Sequence, residues 1–441
     1  MDQILPKYQL NLTTWIYLSS LLTIAIYFKF SRFWSMRNLD LVGLVLLAPG
    51  LLLIDQNGDL RVWGFVWLFV MGLFFLLRLL ADPRMVRRPL LEPNLSTGGL
   101  TFLGCCLLVF LMVNVATRDV LPEDLEGARR LDAMLSRTET PADDTGLMHR
   151  GPGYIWLHLL PRISMGRLVK PDAPQSDDTD RLMVYIATAR AMAMLSHLAV
   201  VIGLVVIGLR HFDNVRTGIA AAVLYLLLPY TAQMTGRVDH VLPAALLVWA
   251  VQCYRRPLLS GMLLGLATGT IYYPLFLLPL WVGFYWQRGR WRFLTGFFTT
   301  LVLLLGSLVF TSSSLESFLA QAKQMLGWTS LSLAGVNGFW QFDESAYPYR
   351  LVVMALFVVM SLGFALWPMP KNLGTLLSCS AALMLGVQFW HAQGGGIYMA
   401  WYLPLLLLTI FRPNLEDRVA VNLLSEWGGL RRHRQVPSMA A

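Results

Sequence analysis

Two groups of charged residues stand beside long apolar runs of the sequence. The first is the acidic stretch Thr117-Arg-Asp-Val-Leu-Pro-Glu-Asp-Leu-Glu126, and the second is Arg237-Val-Asp-His240, which stands between two apolar runs. Carboxylates can accept a proton from a reacting group, and arginines can hold an anionic group as it leaves. We therefore expect function at Arg237-Val-Asp239 and at a second break in the apolar runs, Tyr272-Tyr-Pro274, while the acidic stretch offers carboxylates for proton transfer.

Both groups also have a simpler interpretation. Pro122-Glu-Asp-Leu-Glu126 is typical of the first turn of a surface helix, where proline fits and acidic side chains are favoured by the helix dipole. Arg237, Asp239 and His240 can equally form a solvated turn. The sequence leaves these alternatives open.

Two further positions carry polar side chains in unusual surroundings. Arg190 lies within an apolar run, where a charge is expensive unless it faces protein or water, so we predict that it faces a cavity or a carboxylate. His391 begins the segment His391-Ala-Gln-Gly-Gly-Gly396. Its three glycines allow the backbone to approach a ligand closely, but they also suit a tight connection.

The composition defines the class of protein that must position these residues. Of 441 residues, 56% are hydrophobic and 14% are charged, which is too apolar for a soluble chain of this length. Many apolar runs approach the ~20 residues that a helix needs to cross a bilayer. The sequence predicts an all-α, polytopic integral membrane protein with about 11 spans in a single membrane domain over residues 1–412.

The basic residues indicate how the spans are oriented. Lysines and arginines cluster at alternate connections, and the positive-inside rule places those connections in the cytoplasm. This predicts a cell (inner) membrane protein with an external N-terminus and a cytoplasmic basic tail at 413–441. It also predicts external loops at 117–182, with an interfacial helix near Tyr154, and at 312–348. The net charge of +9 then reflects topology and attraction to lipid rather than binding to nucleic acid.

One apolar segment does not fit a simple crossing. Arg256 and Arg288 must lie on the same side, yet the intervening residues are apolar and contain Pro274 and Pro279. Proline breaks helices, so two short half-helices that meet near Thr270 would satisfy the charge pattern. We predict a broken-helix membrane hairpin here.

The order of these motifs resembles the polyprenyl-phosphate-dependent membrane glycosyltransferases of the GT-C fold, including family 87 and the protein-mannosyltransferase-like group. The resemblance is carried by five elements. They are Ala189-Arg190, Leu228-Pro-Tyr230, Arg237-Val-Asp239, the Gly-rich Gly261-Met-Leu-Leu-Gly-Leu-Ala-Thr-Gly-Thr-Ile-Tyr-Tyr-Pro274, and Trp401-Tyr-Leu-Pro404.

The resemblance implies transfer of a sugar from a polyprenyl-phosphate-linked donor to an acceptor at the external face. It implies that the base is a carboxylate early in the first long external loop, for which we select Asp124, followed by Glu123 and Asp119. Arg190 and Arg237 would hold phosphate. Substrate contacts would also come from Asp239 and His240, which orient sugar or a divalent metal, and from His391.

Two features depart from this family. The lysine usual after the threonine of the Gly-rich element is replaced by Ile271, so a contact with the lipid phosphate is missing or supplied elsewhere. The long external loop usually follows the first span, whereas here it follows the fourth. Three extra N-terminal spans are therefore expected.

Two other functions stay open at the level of sequence. A transporter or lipid flippase would also use broken helices and charges within the membrane, although no inverted repeat is visible. A non-catalytic membrane protein could retain a GT-C-like fold. The sequence identifies neither the sugar, the acceptor, a protein partner nor a need for metal.

Overall fold

Helices form the whole of the regular secondary structure that is described. The structure is a computed structural model, and it describes residues 11–85, 91–136, 150–168, 177–312, 314–327, 336–342, 347–415 and 418–420. Within those ranges there is no strand, which confirms the all-α prediction. Most of the predicted basic tail lies outside them.

Eighteen α-helices are described, and their bounds are as follows. They are α1 (Leu12–Tyr27), α2 (Met36–Ile54), α3 (Asp59–Ala81), α4 (Thr97–Thr117), α5 (Pro122–Ser136), α6 (Pro152–Leu157), α7 (Leu159–Leu168), α8 (Asp177–His211), α9 (Val215–Leu227), α10 (Pro229–Gln233), α11 (Val238–Gln252), α12 (Pro257–Thr270), α13 (Leu278–Phe284), α14 (Arg290–Thr311), α15 (Leu315–Met325), α16 (Tyr347–Leu366), α17 (Leu373–Val387) and α18 (Leu403–Phe411).

The longest apolar helices can cross a bilayer. Six stretches among the described residues have the length and composition for this, and they are Met36–Ile54, Asp59–Arg84, Thr97–Thr117, Thr179–His211, Arg290–Val309 and Tyr347–Leu366. Shorter apolar helices, including α9, α11, α12 and α17, pack among them. An α-helix satisfies its backbone hydrogen bonds internally, so such a bundle suits a hydrocarbon environment. The protein is therefore a polytopic integral membrane protein.

The predicted chain reversal occurs between α12 and α13. Helix α12 ends at Thr270, Ile271 is extended, and a 3₁₀ turn over Tyr273–Leu277 leads into α13. Gly265 of α12 lies against Phe297 of α14, and Gly269 lies against Leu304, so the two helices run parallel. The chain between them must therefore turn back, as the charge pattern of the sequence predicts.

Glycines allow α12 and α14 to approach closely. A Cβ atom at Gly265 would lie 2.7 Å from the carbonyl oxygen of Phe297, and one at Gly261 would clash with the carbonyl of Phe293. Gly296 on α14 is similarly closed in by the backbone of Leu258. Small residues are the usual means of close helix contact in membranes, where packing rather than the hydrophobic effect drives association.

A buried charge network joins the N-terminal helices to the end of α18. Arg78 lies with its Nε 3.0 Å from Asp40 Oδ1 and its Nη1 2.9 Å from Asp82 Oδ1. The second oxygen of Asp82 is 2.6 Å from Arg412 Nη2. Two arginines and two aspartates thus neutralise one another, as buried charges require.

The end of α4 and the described helices α5 and α6 lie at the opposite end of the bundle, which we call the loop end. Here α6 packs between α5, α12 and α14 rather than lying on the surface, and Tyr154 is only 1% exposed. Glycines explain the difference from the predicted interfacial helix. A Cβ atom at Gly153 would lie 2.9 Å from the backbone of Gly269, so only glycine permits this depth. Gly151 N–H donates to the carbonyl of Thr270 at 2.9 Å.

We predict that Gly261→Ala lowers the thermal stability of the purified protein, because the added methyl group meets the α14 backbone. Overpacking of this kind costs about 1–3 kcal/mol. Thermal unfolding in detergent measures the effect. Gly306→Ala on α14 is the matched control, since a Cβ there has nothing within 4 Å and should leave stability unchanged or slightly raised. Equal stability of the two variants would contradict the packing described.

Candidate active site

The start of α11 presents the first two charged side chains of the site. The chain turns after α10, Arg237 is the last residue before α11, and Asp239 lies in the first helical turn. A carboxylate in this position is stabilised by the positive end of the helix dipole. The two residues therefore project from a fixed helix end rather than from a solvated turn.

Hydrogen bonds from neighbouring helices hold the chain before Arg237. His197 on α8 is fully buried and its Nε2 lies 3.1 Å from the carbonyl oxygen of Thr235. Asn114 on α4 donates to the carbonyl of Ala232 at 3.4 Å, and Arg118 donates to that of Gln233. The backbone just before Arg237 is consequently fixed by two separate spans.

Arg237 is surrounded by three carboxylates. Its Nη1 lies 2.8 Å from Glu123 Oε2, its Nε 3.3 Å from Asp124 Oδ1, and its Nη2 3.3 Å from Asp239 Oδ2. Glu123 and Asp124 come from the first turn of α5, so the acidic stretch and the Arg237 group identified in the sequence meet here. The Pro122–Glu126 helix start is real, and it also supplies the site.

Arg150 forms the second cationic partner of Asp239. Its Nη2 lies 2.9 Å from Asp239 Oδ2, and its Nη1 donates to the carbonyl oxygen of Glu123 at 2.8 Å. Both side chains of the pair are more than nine-tenths buried. Sequence reasoning missed Arg150, because a single arginine before Gly151-Pro152 carries no local pattern that points to Asp239.

A small cleft, open to the surface, lies beside this cluster. It is lined by residues of α4, α5 and α8 and by the turns that follow α4 and α10, namely Val115, Arg118, Asp119, Val120, Leu121, Asp124, Ala189, Arg190, Gly236 and Arg237. Arg190 faces the cleft, as predicted, and donates to the carbonyl oxygen of Arg118 at 2.9 Å. Three arginines and two aspartates therefore border one space.

Three of the predicted substrate contacts do not line the cleft. Asp239 lies behind it, in its ion pairs with Arg150 and Arg237. His240 is 2% exposed and is hydrogen-bonded through Nδ1 to Tyr230 at 2.6 Å. His391 is fully buried and packs with ring centroids 4.8 Å from Tyr398. Both histidines are therefore buried packing residues that do not line the cleft.

The predicted orientation of a metal by Asp239 and His240 does not fit this arrangement. The Asp239 carboxylate already faces two guanidinium groups, and His240 Nδ1 is engaged by Tyr230. Within the described ranges, no three His, Cys, Asp or Glu side chains come together as metal ligands. We therefore assign no step to a metal.

Burial makes Asp124 a weaker acid than an ordinary carboxyl group. Its pKa is raised to about 7, chiefly by burial, and the nearby Asp239 and Glu123 raise it further, whereas Arg237 and Arg150 lower it. Burial lowers the pKa of Arg237, but Asp239 and Asp124 raise it by more, so this guanidinium stays charged. A carboxyl group with a pKa near neutrality is suited to general base chemistry.

Comparison with known proteins gives one match. A family model described as glycosyltransferase family 87 matches residues 181–408, just over half of the 441-residue chain. The matched region includes Arg190 and Arg237, while Asp124 and Arg150 precede it. A search of curated proteins found no match, and a search of solved structures found none either.

We predict that Asp239→Asn destabilises the fold, because it leaves Arg150 and Arg237 buried without their shared carboxylate. Removing one partner from a buried pair typically costs about 3–5 kcal/mol. Glu126→Gln is the matched control, since it breaks only the pair with Arg130 within α5, worth about 0.3–0.5 kcal/mol. Thermal unfolding of both variants in detergent distinguishes them, and equal midpoints would show that the Asp239 pairs are unimportant.

Proposed function

The chain belongs to glycosyltransferase family 87, and from this membership we propose that it transfers a sugar from a polyprenyl-phosphate donor to an acceptor at the loop end. The cleft bordered by Asp124, Arg190 and Arg237 is the observation that carries the proposal. It combines a carboxylate that can accept a proton with cations that can hold a phosphate. Such a site is needed when a sugar leaves a phosphate for a hydroxyl group.

We propose that the loop end is the external face. The starts of α12 and α14 lie at the other end of the bundle, where Arg255, Arg256, Arg288 and Arg290 are found. Basic clusters of this kind favour the cytoplasm. A donor with a polyprenyl tail could keep that tail in the bilayer while its headgroup enters the cleft.

In the proposed reaction, the acceptor oxygen attacks the anomeric carbon of the sugar. The bond between that carbon and the phosphate oxygen breaks, and its electron pair leaves with the lipid phosphate. Asp124 takes the proton of the acceptor hydroxyl. Arg190 and Arg237 hold the departing phosphate, and Asp239 acts from behind by orienting Arg237.

The three carboxylates around Arg237 suggest how these events are linked. While Asp124 is ionised, its charge offsets much of the field of Arg237, 3.3 Å away. When Asp124 accepts the proton it becomes neutral, and the positive charge of Arg237 is then available to the phosphate. Stabilisation would thus increase as negative charge develops on the leaving group, which is the condition for lowering a barrier.

The two rival functions receive less support from the geometry. A non-catalytic protein has no need to bring Asp124, Arg190 and Arg237 to one cleft. A transporter site is expected near the bilayer midplane between two repeats, whereas this cleft lies at the ends of α4 and α10. Both observations favour the transferase.

We predict that Asp124→Asn slows sugar transfer by at least about a hundredfold, the usual contribution of a general base. Transfer of a radiolabelled sugar from a polyprenyl-phosphate donor to acceptors in the native membrane measures the rate. Glu126→Gln is the control, because it also replaces a carboxylate by an amide on α5. Glu126 pairs with Arg130 outside the cleft, so this variant should transfer sugar at the wild-type rate. Wild-type transfer by Asp124→Asn would exclude this residue as the base.

A further inference from the structure

Arg150 joins parts of the protein that are far apart in sequence. Its guanidinium contacts the backbone of Glu123 at the start of α5 and the carboxylate of Asp239 on α11. The next residue, Gly151, donates its N–H to Thr270 at the tip of the hairpin. Three segments therefore meet at Arg150 and the residue after it: helix α5, which carries Asp124, helix α11, which carries Asp239, and the hairpin.

The surroundings of Arg150 are shaped to hold it in one position. Its guanidinium lies 5.0 Å from the ring centroid of Tyr154, a cation–π geometry. Tyr154 and His158 in turn pack against Gly127 of α5, where a Cβ atom would lie 2.6 Å from His158 Nε2. Helix α5 can therefore seat on α6 only because residue 127 lacks a side chain.

Charge neutralisation is only part of what Arg150 supplies. Arg237 already pairs with Asp239 through Nη2, although Glu123 and Asp124 share its charge. Burying a second arginine costs desolvation free energy, and an ion pair scarcely recovers that cost. What Arg150 adds is a direct link from Asp239 to the backbone of Glu123, the residue next to Asp124.

We propose that Arg150 is a positioning residue, which fixes the first turn of α5 against α11 so that Asp124 and Arg237 meet at the cleft. The inference rests on the proposed function for its effect on transfer. It also has a consequence that needs no substrate, because Arg150 is one of the charges that act on Asp124.

Several charged or titratable groups act on Asp124 or share its cleft. They are Glu123 on α5, Arg150 and Tyr154 at α6, Arg237 and Asp239 at α11, Arg118 and Asp119 after α4, and Arg190 on α8. Arg237 and Arg150 are the two that lower the pKa of Asp124. Loss of Arg150 should therefore leave Asp124 protonated up to a higher pH.

The test compares Arg150→Met and Arg150→Lys with the wild type. Dicyclohexylcarbodiimide reacts with protonated carboxyl groups, and mass spectrometry of the Asp124 peptide gives labelling as a function of pH. We expect the wild-type midpoint near pH 7. Arg150→Met should raise the midpoint by about one pH unit, the effect of losing a nearby opposite charge. Arg150→Lys keeps the charge and should shift the midpoint by less than Arg150→Met does.

The rate of sugar transfer distinguishes the positioning effect of Arg150 from the effect of its charge. Arg150→Lys loses the planar fork that reaches Glu123 and Asp239 together, so its transfer rate should fall at least tenfold although its midpoint shifts less than that of Arg150→Met. Arg130→Met is the control. Arg130 lies on α5, as Asp124 does, but it pairs with Glu126 away from the cleft. Its midpoint and its rate should match the wild type.

The outcomes distinguish the two proposals. An unchanged midpoint in Arg150→Met, or a wild-type transfer rate in Arg150→Lys, would overturn the role of Arg150. If Arg150→Met does not fold, the Arg150→Lys rate decides alone. If the wild-type protein transfers no sugar yet the midpoint of Arg150→Met shifts as expected, the proposed function fails while the position of Arg150 beside Asp124 stands.

Discussion

Two arginines, Arg150 and Arg237, share the carboxylate of Asp239 at the N-terminus of α11, and the rest of the site depends on this buried group. Arg150 depends on this carboxylate most, since an uncompensated charge in a protein interior is strongly destabilising, whereas Arg237 also pairs with Glu123 and Asp124. Through Arg237 the group reaches Asp124, and through Arg150 it reaches the backbone of α5. One carboxylate behind the cleft therefore positions the residues in front of it.

The architecture supplies this group with rigid neighbours. Glycines bring α12 against α14, and the hairpin tip at Thr270 supports the residue that follows Arg150. On the other side, His197 and Asn114 fix the turn before Arg237. Glycine contacts and backbone hydrogen bonds thus hold charged side chains at the end of an apolar bundle, where long side chains alone would be mobile.

Local patterns in the sequence predict much of this arrangement, but contacts between distant segments do not follow from them. Apolar runs predict the helices, and the basic residues around 256 and 288 predict the hairpin, because each depends on nearby residues. The cleft position of Arg190 follows from the energetic cost of a charge within an apolar run. Arg150 could not be found this way, since its partner is 89 residues away. The burial of His391 is likewise set by Tyr398 and other packed rings rather than by its glycine-rich surroundings.

The central claim is that the cleft binds the phosphate of the donor through its arginines and uses Asp124 only for the chemical step. Equilibrium binding of a radiolabelled polyprenyl-phosphate sugar to purified variants tests it most directly. Arg190→Met should weaken donor binding by about tenfold, equivalent to ~1.4 kcal/mol, while Asp124→Asn should bind the donor at least as tightly as the wild type, because it removes a negative charge beside Arg237. Unchanged affinity in Arg190→Met would contradict the account, because the donor phosphate would then lie elsewhere.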